Sequence, residues 1–211
     1  DGSMTGNSAL AHDFKIDATA NPPTMTFYLR KGIKFIDGTD LNAQAVKWNM
    51  EMITKGGLYK STTDYWKAFD VIDDHTLRVT FPMWRNTMLR AWENYYVVSP
   101  TAYDRNGNDW MRLNIVGTGP FKQTDFQRDV HTKYTKNDSY WQKGKPYLDG
   151  VQMLYVADQL TQEAIMRSGG AEALTTNPKV GSRFLNDPAF NVVTKAAGPI
   201  SMVPDSLNTD S

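Results

Sequence analysis

A glycine-rich loop, Gly117-Thr118-Gly119-Pro120, is the first candidate for chemistry, because the backbone amides of such loops can cradle phosphate groups. A dinucleotide-binding loop needs a third glycine and opens a helix, whereas Pro120 and Phe121 follow here and begin a strand-like run. The loop therefore does not predict phosphate binding. We expect Gly117 and Gly119 to allow a tight backbone path, and Pro120 to fix the start of the strand.

Histidines and paired carboxylates are the residues that could hold a metal or move a proton. His12, His75 and His131 lie in separate segments, with no second ligand at helical or hairpin spacing, so we expect no metal site. Asp73 and Asp74 are adjacent, but they form the predicted tip of a hairpin. A solvated pair there lacks the burial that would separate its two pKa values for catalysis.

Two further sequence patterns typical of catalytic sites are not matched. The run "GGLYKST" lacks adjacent glycine and lysine and follows a helix, whereas a phosphate-binding P-loop follows a strand. The nucleophile pattern G-x-S-x-G does not occur. A hydrolase built on Asp73 or Asp37 is the alternative, but both residues lie in predicted turns. We expect a protein that is not an enzyme and needs no cofactor.

Aromatic residues are the remaining candidates for contact with a ligand, because they join a large apolar body to a polar tip. For any one of them, packing is the default interpretation. The run "WENYYV" differs, since neighbouring aromatic residues cannot all face one core. At least one of Trp92, Tyr95 and Tyr96 should face a cleft or solvent.

The overall composition excludes several classes of protein. The 211 residues contain no cysteine, and 23 basic residues balance 23 acidic ones. Disulfide frameworks and zinc–thiolate sites are thereby excluded, and the basic surface of a nucleic-acid binder is missing. No apolar run reaches the roughly 20 residues that span a bilayer, and the first residues do not form a signal peptide pattern. The chain is either cytosolic, mature or cut from a longer protein.

The elements that must position these residues follow from hydrophobic spacing. "TMTFYLR" alternates as a strand, and "LNAQAVKWNMEMI" predicts a helix with Asn42 as its N-cap. Hairpins are predicted over 69–81 and 121–136, a second, less regular helix from Asn86 to Tyr96, and a helical stub after Ser99-Pro100.

Residues 151–156 predict a strand, and a helix follows over 158–168. A weak strand is expected at 172–176, a short helix at Pro178 and a further strand at 190–193. This mixture of hairpins and single helices indicates a mixed α/β, or α+β, fold. A polar stretch from Asp104 to Met111 is the best candidate for a domain boundary.

Six blocks in order carry a resemblance to a known family. They are "TMTFYLRKGIKFIDGTDLNAQAVKWNME", "VIDDHTLRVTF", "VVSPTAY", "NIVGTGPFK", "KNDSYWQKGKPYLDGVQMLYV" and "SLNTDS". From about "SALAHDF" onward the chain resembles the family 5 extracellular solute-binding proteins, the substrate-binding components of peptide, dipeptide and nickel ABC importers. The run "SGGAEALTT" departs from the Gly-Glu-x-Asp turn that members often carry.

The resemblance implies a type II periplasmic binding protein fold, in which two lobes close on a ligand. Family members are more than twice as long, so the chain resembles an internal piece without lobe II. Residues 1–113 correspond to the small subdomain inserted in lobe I, and residues 114–211 to the central part of lobe I. The expected location is the periplasm or the extracellular face of the cytoplasmic membrane.

The resemblance also implies the ligand contacts and the partners. By position, the ligand-facing residues fall at Tyr59, among Trp92, Glu93, Asn94, Tyr95 and Tyr96, and at Thr118 in the loop near the cleft. The implied partners are a peptide or other small solute, an ABC permease and the second lobe, with no nucleic acid. A ligand-sensing domain of a regulator, built on the same fold, is the alternative.

Overall fold

The computed structural model describes residues 10–56, 63–85, 92 and 95–193. The chain forms two compact units, Asp1–Tyr155 and Val156–Ser211. The first contains two antiparallel sheets with helices and the second contains short helices, so the mixed α/β class is confirmed. Among the described residues, each helix falls short of the length and apolar character needed to cross a membrane.

The first sheet contains four strands in the order β1-β2-β4-β3: β1 (Ala11–Asp17), β2 (Thr24–Leu29), β3 (Ala68–Asp73) and β4 (Thr76–Thr80). Met25 pairs with Val79 across the sheet, and both side chains are fully buried. Full burial of one such side chain stabilises a fold by about 1.5–3 kcal/mol. The predicted strand at 24–30 and the predicted hairpin at 69–81 are confirmed.

Helix α1 (Ala43–Gly56) covers this sheet. Its first turn is capped as predicted, because Asn42 Oδ1 accepts a hydrogen bond of 2.9 Å from the Ala45 amide. Met50 packs into the cluster that contains Met25, Val79 and Phe81. Burial on this one face holds the helix against the sheet.

The second sheet contains β5 (Phe121–Gln127), β6 (His131–Lys136) and β7 (Gly150–Leu154), in that order. Asp129 turns the β5–β6 hairpin with a φ of 61°, a conformation that aspartate tolerates better than most residues. The second predicted hairpin and the strand after it are confirmed.

Helix α2 (Pro100–Met111) lies between the two sheets in the chain and is longer than the predicted stub. It is interrupted at Gly107, whose φ of 80° and ψ of 173° are not helical. The polar stretch proposed as a boundary therefore lies in this broken helix. The division of the first lobe after residue 113 falls between the two sheets and stays a prediction.

The second unit contains α3 (Gln159–Arg167), α4 (Pro178–Gly181) and a 3-10 turn, Ser182–Phe184. Both helices were predicted. Arg167 joins α3 to the 3-10 turn and the residues after it, since its guanidinium lies 3.0 Å from Glu163, 2.9 Å from Asp187 and 4.9 Å from the centre of the Phe184 ring.

The secondary structure differs from the expectations in four places. Residues 172–176 and 190–193 are irregular, because no described strand of their unit is available to pair with either segment. Strand β1 was not predicted, because a bulge between Ala11 and Asp13 interrupts its alternation. The predicted helix from Asn86 to Tyr96 lies largely outside the described residues, but Tyr95 and Tyr96 are not helical.

Candidate functional site

Backbone hydrogen bonds join the Gly117-Thr118-Gly119-Pro120 loop and its neighbour Val116 to Ile36 and Ser99. The Gly117 carbonyl accepts from the Ile36 amide at 2.9 Å, and the neighbouring Val116 carbonyl accepts from the Ser99 amide at 2.8 Å. These bonds bring the predicted contact Thr118 close in space to the segment that carries Tyr95 and Tyr96.

Asn137 fixes the other end of the same loop. Its side-chain amide donates to the Gly119 carbonyl at 2.9 Å, and its backbone amide donates to the Pro120 carbonyl at 2.9 Å. Only 3% of Asn137 is exposed, so these bonds are shielded from water. The loop is thus held on both sides before any ligand arrives, which favours a preorganised surface.

The tight-path explanation for the two glycines of this loop is wrong. Neither Gly117 nor Gly119 has a φ in the left-handed region. A Cβ added at Gly117 would lie 3.6 Å from the Val97 carbonyl oxygen, an ordinary contact, and one at Gly119 would meet nothing within 4 Å. Hydrogen bonds from Ile36 and Asn137, rather than glycine-only geometry, therefore determine the path of this loop.

The segment before Pro100 is anchored by one buried asparagine of α1. Asn49 Oδ1 accepts from the Val98 amide, and Asn49 Nδ2 donates to the Val98 carbonyl, both at 2.9 Å. The side chain thereby satisfies both backbone groups of one residue, as a neighbouring strand would. Tyr96 comes two residues earlier and exposes 81% of its surface.

Trp92 and Tyr95 face the opposite way, into the core of the first unit. The Trp92 ring stacks on Trp66 with the ring centres 4.8 Å apart and the planes 9° apart. Tyr95 meets Trp66 edge-on at 4.8 Å, and Phe27 meets Trp92 in the same way at 4.8 Å. The expectation that at least one of Trp92, Tyr95 and Tyr96 faces solvent is confirmed by Tyr96.

Burial differs among the predicted ligand contacts. Thr118 is 9% exposed, whereas Tyr96 is almost free of packing. The Trp92 indole nitrogen is buried and has no hydrogen-bond partner among the described residues. Tyr59, Glu93 and Asn94 lie outside the described residues. A role in ligand contact stays a prediction for all seven residues.

A polar network centred on Asp37 holds the start of α2 next to the segment that carries Tyr96. Sequence reasoning assigned Asp37 only to a turn. Ser99 Oγ donates to Asp37 Oδ2 at 2.5 Å, and the Thr39 hydroxyl and amide donate to Asp37 Oδ1 at 2.6 and 3.0 Å. Ser99 Oγ also accepts from the Ala102 amide at 3.1 Å and so caps α2.

The Asp37 carboxyl is held in its ionised form by this network. Partial removal from water acts to raise the pKa of Asp37, but the hydrogen bonds from Ser99 and Thr39 and the nearby charge of Arg105 act in the other direction. The result is a pKa of Asp37 below its ordinary value. The carboxylate therefore joins two loops and a helix start, which suits a structural role.

Metal ligands do not converge in the part of the chain that the structure describes, where no group of three histidine, aspartate or glutamate side chains could hold an ion. His131 instead contacts Asp125 across the second hairpin, with 2.7 Å between nitrogen and oxygen. Asp73 turns its own hairpin by accepting a hydrogen bond from the His75 amide at 2.8 Å.

Comparison with known proteins identifies the family. The family model described as "Bacterial extracellular solute-binding proteins, family 5 Middle" matches residues 8–207. The glutathione-binding protein GsiB of Shigella flexneri is 33% identical over 154 residues, which cover 71% of this chain and 30% of that protein. The chain thus spans less than a third of the length of this curated relative.

Solved structures agree with the fold. NikZ of Campylobacter jejuni, solved with Ni(L-His), superposes with a TM-score of 0.73 at 18% identity, over 85% of this chain and 36% of that one. An ABC transporter substrate-binding protein of Sinorhizobium meliloti gives a TM-score of 0.69 at 26% identity, over 83% of this chain and 37% of that one.

These matches confirm the resemblance drawn from the ordered blocks, and the part-lobe architecture that it implied. The matched family consists of binding proteins that act outside the cytoplasm, so the expectations of no catalysis and of an extracytoplasmic location are also confirmed. The chain belongs to family 5 of the bacterial extracellular solute-binding proteins.

Proposed function

We propose that the chain forms part of the substrate-binding component of an ABC importer, which captures a peptide or other small solute between two lobes and delivers it to the membrane permease. The observation that carries this proposal is the family match over residues 8–207. In such a protein, closure of the lobes removes the solute from water and presents a changed surface to the permease.

The geometry supports Tyr96 and the Thr118 loop as one wall of the solute site. Tyr96 exposes its ring within three residues of Val98 and Ser99, whose backbone amides are held by hydrogen bonds to Asn49 and Val116. The Thr118 loop lies against the same segment through the Ser99–Val116 hydrogen bond. An exposed aromatic ring on a rigidly held segment can pack against a solute at little entropic cost.

The solute class is inferred from relatives and from the composition of this wall. One relative is named for glutathione binding and one neighbour was solved with a nickel–histidine complex, both small polar molecules that contain amino acids. A tyrosine ring and backbone groups suit such solutes, because they recognise the shape and the main chain without demanding one particular side chain.

The experiment uses the complete protein that contains this chain. Native mass spectrometry of the purified protein should show a bound molecule of peptide-like mass, and calorimetry with glutathione and short peptides should rank the solutes. We expect Tyr96→Ala to weaken binding of the best solute by about tenfold, since losing one packed aromatic contact costs roughly 1–2 kcal/mol.

Tyr147→Ala is the matched control, because Tyr147 is 85% exposed but lies in a different loop. Its affinity should equal that of the unchanged protein. Equal loss in both variants would remove Tyr96 from the site. Failure of every peptide-like solute to bind the complete protein, together with no co-purified molecule, would contradict the proposed function.

A further inference from the structure

We propose that Asn49 of α1 is a positioning residue for the solute site, because it fixes the backbone segment that presents Tyr96. Asn49 is only 4% exposed, so it acts on a solute through this segment and not by direct contact. The inference rests on the proposed function, in which Tyr96 forms part of one wall. It assigns a role to a buried residue outside the set of predicted solute contacts.

Three hydrogen bonds fix the orientation of the Asn49 side chain. Its Oδ1 accepts from the Val98 amide, and its Nδ2 donates to the Val98 carbonyl and to the Ala45 carbonyl, each at 2.9 Å. Exchanging the positions of Oδ1 and Nδ2 would place a donor against an N–H group and an acceptor against two carbonyl oxygens. One orientation is therefore strongly favoured, and it holds the Val98 backbone against α1.

The helix that carries Asn49 is itself fixed in the core of the first unit. Ala45 and Met50, its neighbours on α1, are buried in two separate hydrophobic clusters. Val97, the residue before Val98, packs against both clusters. Because close-packed interiors yield little, the Asn49 hydrogen bonds join the segment to a rigid part of the molecule.

The position of Tyr96 depends on this backbone, since most of its own side chain lies in solvent. Tyr96 is 81% exposed and Val98 follows two residues later. On the far side of Val98, the Ser99 amide donates to the Val116 carbonyl at 2.8 Å. Without the Asn49 bonds, the segment would have to be ordered when the solute binds, and the entropy lost in that step weakens affinity.

The test measures the affinity of the complete protein for its best solute by calorimetry. Asn49→Leu keeps the approximate size of the side chain and removes all three hydrogen bonds. We expect affinity to fall about fivefold, less than in Tyr96→Ala because the Ser99–Val116 bond remains. Combined with Tyr96→Ala, the Asn49→Leu change should add little, because the ring that it positions is gone. A purely structural role would lower resistance to urea without this dependence on Tyr96.

Asn106→Leu is the matched control. The Asn106 side-chain amide donates to the Ala102 carbonyl at 2.9 Å, as Asn49 does to Ala45, but Asn106 is exposed and lies on α2. Its affinity should equal that of the unchanged protein. Full affinity in Asn49→Leu, an equal loss in the control, or the same loss with and without Tyr96→Ala would overturn the inference and leave the proposed function standing. Failure of every peptide-like solute to bind the unchanged protein would instead contradict the proposed function, and the inference with it.

A second measurement needs no ligand. Hydrogen–deuterium exchange of the complete protein, followed by mass spectrometry on short overlapping peptides from residues 95–99, reports on the Val98 amide. We expect this amide to be protected in the unchanged protein and to exchange roughly tenfold faster or more in Asn49→Leu. If Asn49→Leu does not fold, the unchanged protein still decides. Exchange of its Val98 amide as fast as in an unstructured peptide would overturn the inference.

Discussion

Asp37 shows how one residue can connect distant parts of the chain. Its carboxylate accepts hydrogen bonds from Thr39, two residues away, and from Ser99, which lies 62 residues further along. Ser99 in turn caps α2 and binds Val116 beside the glycine-rich loop. A single ionised group therefore links the turn after β2 to the segment that carries Tyr96.

Asp37→Asn should destabilise the chain at neutral pH. The amide cannot accept at both positions with the strength of a carboxylate. We expect a loss of about 1 kcal/mol in the free energy of unfolding, less than the usual value for hydrogen bonds to charged groups because Asp37 is solvated. Urea unfolding at pH 7, followed by tryptophan fluorescence, measures it.

The pH dependence of this effect has a defined sign. The folded pKa of Asp37 is lowered, so its contribution is complete above the ordinary value near 4 and is lost as pH falls through the folded pKa. The gap between the unchanged chain and Asp37→Asn should shrink at pH 3. Asp40→Asn, on the same loop but paired with Lys34 at the surface, should cost less at pH 7. A gap that is the same at both pH values would exclude the ionised form as the cause.

At the scale of elements, short-range patterns predicted most of the fold. The Asn42 cap of α1, both hairpins and the helix beginning after Asp158 depend on neighbours within a few residues, and all are present. Strand β1 was missed because its bulge breaks the alternation. Residues 172–176 have strand-like composition, but a strand also needs a partner, and composition does not supply one.

The candidate site was less predictable, since its supporting contacts join residues far apart in sequence. Asn49 binds the backbone of Val98, which lies 49 positions further along the chain. No local sequence pattern distinguishes Asn49 from the other polar residues of its helix. The loop glycines show the converse. Gly117 and Gly119 suggested a conformational requirement, whereas the close approach occurs at Gly150 in β7.

Gly150→Ala and Gly119→Ala form a matched pair of variants that test this distinction. A Cβ at Gly150 would lie 2.7 Å from the backbone oxygen of Tyr134 on the neighbouring strand, whereas one at Gly119 would meet nothing. We expect Gly150→Ala to lower the free energy of unfolding by about 1–3 kcal/mol, the usual cost of overpacking. Gly119→Ala should be neutral or slightly stabilising. A comparable loss at Gly119 would restore the tight-path explanation for the loop.

At the scale of the whole molecule, the first unit carries the residues that we propose as one wall of a solute site. Tyr96 and the Thr118 loop belong to the first unit, and the chain covers 36% of the NikZ structure that it superposes on. A solute bound to one wall keeps much of its surface in water. High affinity in a binding protein requires burial of most of the ligand, with polar groups converging from both sides.

The 211-residue chain alone should therefore bind its solute weakly or not at all. We expect an affinity on the order of a hundredfold or more below that of the complete protein, because half of the desolvated contacts are absent. Calorimetry with the best solute of the complete protein, applied to the purified chain, makes the comparison, and Tyr96→Ala in this chain should cause little further loss. Sub-micromolar binding of a peptide by the chain alone would contradict the two-lobe mechanism, since one wall would then supply nearly all of the binding free energy.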